Sequence, residues 1–103
     1  MLVKKGYNEG TIVSFKLVNG DEVLAKLVST EADRFIVTKP CTVMPSPQGI
    51  GLMQSLFCGD INNNIDLRFD HVLMHAPVVK EIQDHYLTTT TGIQTVSKGS
   101  IVV

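Results

Sequence analysis

Apolar and polar residues alternate along the first third of the chain. Residues 11–38 read T-I-V-S-F-K-L-V, then N-G, then D-E-V-L-A-K-L-V-S, then a short polar break, then R-F-I-V-T. A period of two predicts strands with one buried face. On the first run Val13, Phe15 and Leu17 share a face, opposite Ile12, Ser14, Lys16 and Val18. On the second, Val23, Ala25 and Leu27 face one way and Leu24, Lys26 and Val28 the other. Asn19-Gly20 between them predicts a two-residue type I′ hairpin, whose central residues both adopt φ > 0.

The rest of the chain continues the strand pattern. Residues 1–10 carry Gly6, Asn8 and Gly10 without helical period and read as a flexible lead-in, with Leu2 and Val3 touching the core. After the polar break at Ser29–Asp33, a third run spans Arg34 to Val43 and is interrupted by Pro40, which implies an edge, a bulge or a bend. Residues 45–49 form a loop, Leu52 to Phe57 a fourth run, and the Asn-rich residues 59–66 a hairpin tip. Leu67 to His75 is a fifth strand. Pro77 suits the first turn of a helix, where its missing N–H is harmless. Val78, Ile82 and Tyr86 then share a helical face opposed by Lys80, Gln83 and Asp84. The β-branched residues Thr88–Thr91 end this helix, because such side chains lose χ1 freedom in a helix. Two β-prone pieces remain in the tail, Ile93 to Val96 and Ile101 to Val103. The expected fold is therefore mainly β: a small, strongly bent five-stranded antiparallel barrel over about residues 11–76. A short helix over about 77–87 and a tail over 88–103 complete a single domain of residues 1–103, whose halves would be too small to bury a core.

Composition narrows the function. Of 103 residues, 44% are hydrophobic and 18% charged, and the mean hydropathy is +0.18. The formal net charge of −1 argues against a general electrostatic coater of DNA, which needs a basic excess or stripe. It leaves room for single strands held at a local ring of Arg or Lys. Cys41 and Cys58 do not make a disulfide framework and read as reduced thiols. Met1–Lys5 has no apolar segment behind it to make a signal peptide, and no apolar run approaches the ~20 residues of a membrane-spanning helix, so the expected location is cytoplasmic, away from membranes. Residues 51–58 contain no carboxylate or amine. An uncharged run is a poor solvent-facing edge, so this fourth run is expected to be central or paired to another copy of the chain.

Candidate chemistry is sparse. Asp60 to Asp66 imitates the opening of a calcium loop, but Ile65 stands where such a loop needs Gly and His71 where it needs a bidentate Glu, so the reading is an Asn-rich turn. His71 and His75 lie four apart, which on a strand separates them by roughly 13 Å, too far to share a metal. His85 reads as a packing residue of the short helix. No nucleophile elbow, zinc-protease, phosphate-loop or dinucleotide signature is present. No enzymatic activity, cofactor or metal is expected.

The hairpin resembles the first motif of the Sm/LSm family, to which bacterial Hfq belongs. Phe15, Leu17, Gly20, Val23 and Leu27 fall in place, Ala25 stands where the family has Gly, and Glu31 where it has Asp. The family's base-contacting Asn has no equivalent; Arg34 or Phe35 occupies that position. Leu67 to Met74 is similar to the second motif, with Arg68 matching and Phe69 replacing Gly. The family's helix precedes the barrel, whereas here the helix follows it. The resemblance implies an SH3-like Sm barrel whose fourth strand pairs with the fifth of a neighbouring copy, closing a homo-oligomeric ring of five to seven subunits. It also implies single-stranded RNA, or DNA, bound for RNA processing or chaperoning. The loops that would hold it offer Glu31, Arg34, Phe35, Arg68, Phe69 and His71, whose guanidinium, phenyl and imidazole groups stack on bases. The alternative is an oligomeric barrel used as a structural or protein-interaction module without nucleic acid.

Overall fold

The computed structural model describes residues 6–100, with side chains to Thr91. It is mainly β: six antiparallel strands followed by a helix. The strands are β1 (Ile12–Leu17), β2 (Glu22–Thr30), β3 (Arg34–Ser46), β4 (Gly49–Gln54), β5 (Ile65–Arg68) and β6 (Val72–Pro77), and the helix is α1 (Lys80–Ser100). The sheet order is β4-β3-β2-β1-β6, with β5 paired to the first part of β3. One strand more than expected is present, and the hydrogen-bonded path is not closed into a barrel. β5 and β6 are joined by one turn of 3-10 helix (Phe69–His71) rather than by a ladder.

The alternation of the opening hairpin holds in detail. Val13, Phe15, Ala25 and Leu27 are buried together with Phe35 and Val37 on one face of the sheet. Its turn differs from the expected type I′. Leu17 N–H donates to Asp21 C=O (2.8 Å) and Gly20 N–H to Leu17 C=O (2.9 Å), which makes a three-residue loop, Val18-Asn19-Gly20. Only Gly20 has a positive φ (98°), as in a type I turn closed by a left-handed glycine. Asn19 contributes through its side chain, whose Oδ1 accepts the Asp21 N–H (3.0 Å).

Pro40 marks a bend. β3 pairs with β5 over Arg34–Val37 and with β4 over Cys41–Ser46, changing partner at Lys39-Pro40. The β2–β3 register shifts there, between Leu24 and Lys26. Lys39 takes a left-handed φ of 51°, which is uncommon for a side chain with a Cβ. Its N–H donates to Ile61 C=O (2.7 Å) and its C=O accepts the Tyr86 hydroxyl (2.6 Å). The Asn-rich segment is thus no hairpin tip: it is an Asx turn around Asp60, pinned to the bend by buried Ile61. The expected fifth strand, Leu67 to His75, is likewise divided by the 3-10 turn into β5 and β6.

The second face of the sheet is also covered. Ile12, Leu24, Cys41 and Tyr86 form a second cluster, with Val43, Leu52, Val78 and Ile82 packed against it. Val78, Ile82 and Tyr86 are the helical face expected from the sequence. The helix runs well past residue 87, however, and Ile93 to Val96 belong to it. Thr90 is one reason that the threonines do not stop it: its buried hydroxyl donates to Tyr86 C=O (3.0 Å) and can do the same to Leu87 C=O (3.2 Å). This back-bonding satisfies the polar group within the helix itself. The lead-in is held as well. Tyr7 packs against the first cluster, and Gly10 N–H donates to Leu27 C=O (2.8 Å). The expectations for Leu2, Val3 and Ile101 to Val103 lie outside the described residues.

Tyr86 is fully buried, so Tyr86→Phe, which leaves the Lys39 carbonyl without its donor, is expected to cost about 1–3 kcal/mol in urea denaturation. Burial pushes the Cys41 thiol from an ordinary value of 9.0 to about 11, and raises the Tyr86 phenol as well. Both groups are neutral in the fold and ionise more readily unfolded. Their contribution is complete below pH 9 and declines as the pH rises towards 11. Denaturation midpoints measured across that window should fall, and Cys41→Ala should flatten the lower part of the fall.

Candidate nucleic-acid interface

Two distant segments meet at one end of the sheet. The β2–β3 turn, Glu31-Ala32-Asp33, is closed by Glu31 N–H donating to Arg34 C=O (2.8 Å). The 3-10 turn lies against it, with Phe69 N–H donating to Asp33 C=O (3.0 Å). Arg34 and Arg68 are directly opposed in the β3–β5 register. Like charges opposed in this way repel, and carboxylates offset the repulsion. Arg34 Nε donates to Asp33 Oδ1 (2.8 Å) and its Nη1 to Asp66 Oδ2 (2.9 Å). Arg68 approaches Asp33 Oδ2 through Nη1 (3.6 Å) and Asp70 Oδ1 through Nε (3.3 Å). Asp33 therefore bridges both guanidiniums. The hydrogen bond from Arg34 is the main cause that lowers the Asp33 pKa, and the same bond raises that of Arg34.

Of the six residues expected at the site, five converge here. Arg34, Arg68 and His71 are on the surface, with His71 Nε2 at 4.0 Å from Asp70 Oδ1. Phe69 is 37% exposed and stands edge-on to Phe35, with ring centroids 4.8 Å apart. Phe35 is 5% exposed and belongs to the core, so it supports Phe69 and offers no stacking surface of its own. Glu31 is turned to its own strand, accepting from Ser29 Oγ (2.8 Å).

Sequence reasoning missed the acids. Asp66 and Asp70 flank Arg68 at two-residue spacing, and Asp33 precedes Arg34, a pattern that places opposite charges side by side at a strand end. It also missed the aromatic floor beneath Phe69. His75 packs against Phe35 (5.0 Å) and Phe15 (6.2 Å), and its Nδ1 is 2.6 Å from the Tyr7 hydroxyl. His75 is thus on β6 while His71 is in the 3-10 turn, not four apart on one strand. Among the described residues no group of three His, Cys, Asp or Glu side chains is placed to hold a metal ion, and no helix is long and apolar enough to cross a membrane.

No protein-family model matches the chain, and a search of curated proteins finds no significant relative.

The ion pairs are half exposed and screened by solvent, so each contributes little to stability. Asp33→Asn should therefore lower the urea midpoint only slightly, because the Phe69–Asp33 backbone bond remains. The Asp33 pKa is lowered from its ordinary value of 3.8, so the contribution it makes is complete above that value and is lost as the pH falls from there through the lowered pKa. Acid titration of the wild type against Asp33→Asn checks the sign.

Proposed function

We propose that this chain is an Sm-like protein that forms a homo-oligomeric ring of five to seven copies. It binds single-stranded RNA, or DNA, at the cluster of Arg34, Arg68, Phe69 and His71, in RNA processing or chaperoning in the cytoplasm. The observation that carries this reading is the meeting of the two motif echoes. Residues 33–35 and 68–71, over thirty positions apart in sequence, build one surface through the Asp33–Phe69 and Asp33–Arg68 contacts. An Sm-like path is also compatible with the sheet, since β1-β2-β3-β5 returns to β1 through the 3-10 turn and β6. The strand carrying Arg68 is β5, so the ring contact falls to the free edge of β5 against β6 of the next copy, where Leu73 and Met74 are 61% and 66% exposed.

The carboxylates beside the arginines do not close the site. Exposed pairs are weak, so a base can displace Asp70 from Arg68 at small cost, while a base stacked on Phe69 or Arg68 contributes roughly 1–3 kcal/mol. Binding of this kind depends on stacking more than on phosphate neutralisation. The second reading, a protein-interaction barrel without nucleic acid, is favoured by one observation: Asp33, Asp66 and Asp70 outnumber the two guanidiniums they surround.

Fluorescence anisotropy with short oligo(U) and oligo(A) separates the two. Phe69→Ala and Arg68→Ala should each weaken binding about 5- to 150-fold, the equivalent of losing one stack. The log–log salt slope should be no steeper than about −1.4 per site, two phosphates at −0.7 each. An intact ring that binds neither oligonucleotide at low salt would leave the interaction-module reading in its place.

A further inference from the structure

The free edges of the sheet are not alike. β5 has four residues and carries Asp66 and Arg68, and β6 follows the 3-10 turn and ends at Pro77. Shortness, charge and proline restrict which strands can pair with an edge. β4 has none of them. It is six residues long, without charge or proline, and its register with β3 is unbroken from Cys41–Gln54 to Ser46–Gly49. Residues 40–59 as a whole contain no Asp, Glu, Lys, Arg or His. Around the edge Ile50 and Met53 are each 38% exposed, Leu56 40% and Phe57 75%.

We propose that β4 pairs antiparallel with β4 of a second copy across a two-fold axis at Gly51, joining two sheets into one. The pairing goes beyond the ring and nucleic-acid reading and does not need it. Among the described residues no strand pairs with the outer edge of β4, and an edge of open amides and carbonyls selects a strand as its occupant. The lack of charge selects an uncharged strand, since a charged one would be desolvated against residues that offer it no counter-charge. The chain's own β4 meets both conditions.

The register follows from the hairpin. The two-residue turn at residues 47–48 makes Ser46 and Gly49 a hydrogen-bonded pair. By alternation the backbone groups of Gly49, Gly51 and Met53 point to β3, and those of Ile50, Leu52 and Gln54 point outward. An axis at Gly51 then sets Ile50 against Leu52 of the second copy in two hydrogen-bonded pairs. It also sets Gly49 against Met53 twice, a small residue facing a large one. This extends the second cluster, to which Leu52 already belongs, across the axis. Gly51 faces its own copy in a non-hydrogen-bonded pair, where Cβ positions lie about 4.5–5.5 Å apart.

Light scattering of the wild type, Ile50→Lys and Met74→Lys tests the pairing. β4 pairing alone gives twice the chain mass of 11.3 kDa, a ring alone gives five to seven times that mass, and both together give twice the ring. Ile50→Lys should halve the wild-type mass whether or not rings form. Met74→Lys, on the β6 edge, should leave a dimer intact while breaking a ring, so failure of the ring reading is seen separately. In a Cys58→Ser background, Gly51→Cys should form a covalent dimer with oxidised glutathione, since the other cysteine, Cys41, is buried. A Cβ at Gly51 meets nothing closer than the Met44 carbonyl oxygen at 4.0 Å, so the backbone accommodates the substitution without a clash at that atom. A mass that Ile50→Lys leaves unchanged, or a Gly51→Cys chain that stays uncrosslinked, overturns the proposal.

Discussion

The bend at Lys39-Pro40 governs the fold. β3 is thirteen residues long and pairs with β2 on one side, while β5 and then β4 take its other side. A straight strand would offer that second side to one neighbour only. Breaking it with a left-handed lysine and a proline lets two strands share it, and leaves the Lys39 peptide groups to be satisfied elsewhere. Ile61 C=O and the Tyr86 hydroxyl supply those partners. A buried carbonyl without a donor costs about 1–3 kcal/mol, so the bend, the Asx turn of residues 60–63 and the helix depend on one another. The tyrosine that fixes the helix to the sheet also holds the strand in the shape that creates β4 and β5 as separate edges.

Much of this was legible in the residues, and the limits are physical. Period-two alternation assigned Val13, Phe15, Ala25 and Leu27 to one face correctly, because a strand with one wet face cannot be read any other way. It does not show that Ile12 and Leu24 are buried, because their face is covered by a helix far along the chain. Alternation also cannot see a chain that turns by 3-10 geometry within an apolar run, so it predicts one strand where β5 and β6 stand. The threonines of the helix misled for a similar reason. Propensity counts their lost χ1 freedom but not the hydroxyl bond back to Tyr86 C=O. Pro40, by contrast, announced its bend plainly, since a proline inside a strand admits few alternatives.

At the interface the basic and aromatic residues were legible and their neutralisation was not. Arg34 and Arg68 stand out from sequence as isolated cations near the ends of apolar runs. That they oppose one another across a ladder, and so require Asp33 between them, follows only from the register. The result is a surface on which three carboxylates face two guanidiniums beside one ring, Phe69, supported from behind by Phe35.

Both faces of the sheet are occupied, one by the core around Phe15 and Phe35 and the other by Tyr86 and its neighbours. What a partner can reach on the strands is therefore their edges and the turns at their ends. Edges take strands, and turns take small groups or bases. Among the described residues, a fold that covers both faces leaves the outer edges of its strands and the turns at residues 33–35 and 68–71. β4 leaves β3 on one side of the bend, and β5 and the arginine turn lie on the other. Thirteen residues of one bent strand thus hold the uncharged edge of β4 apart from the arginine turn.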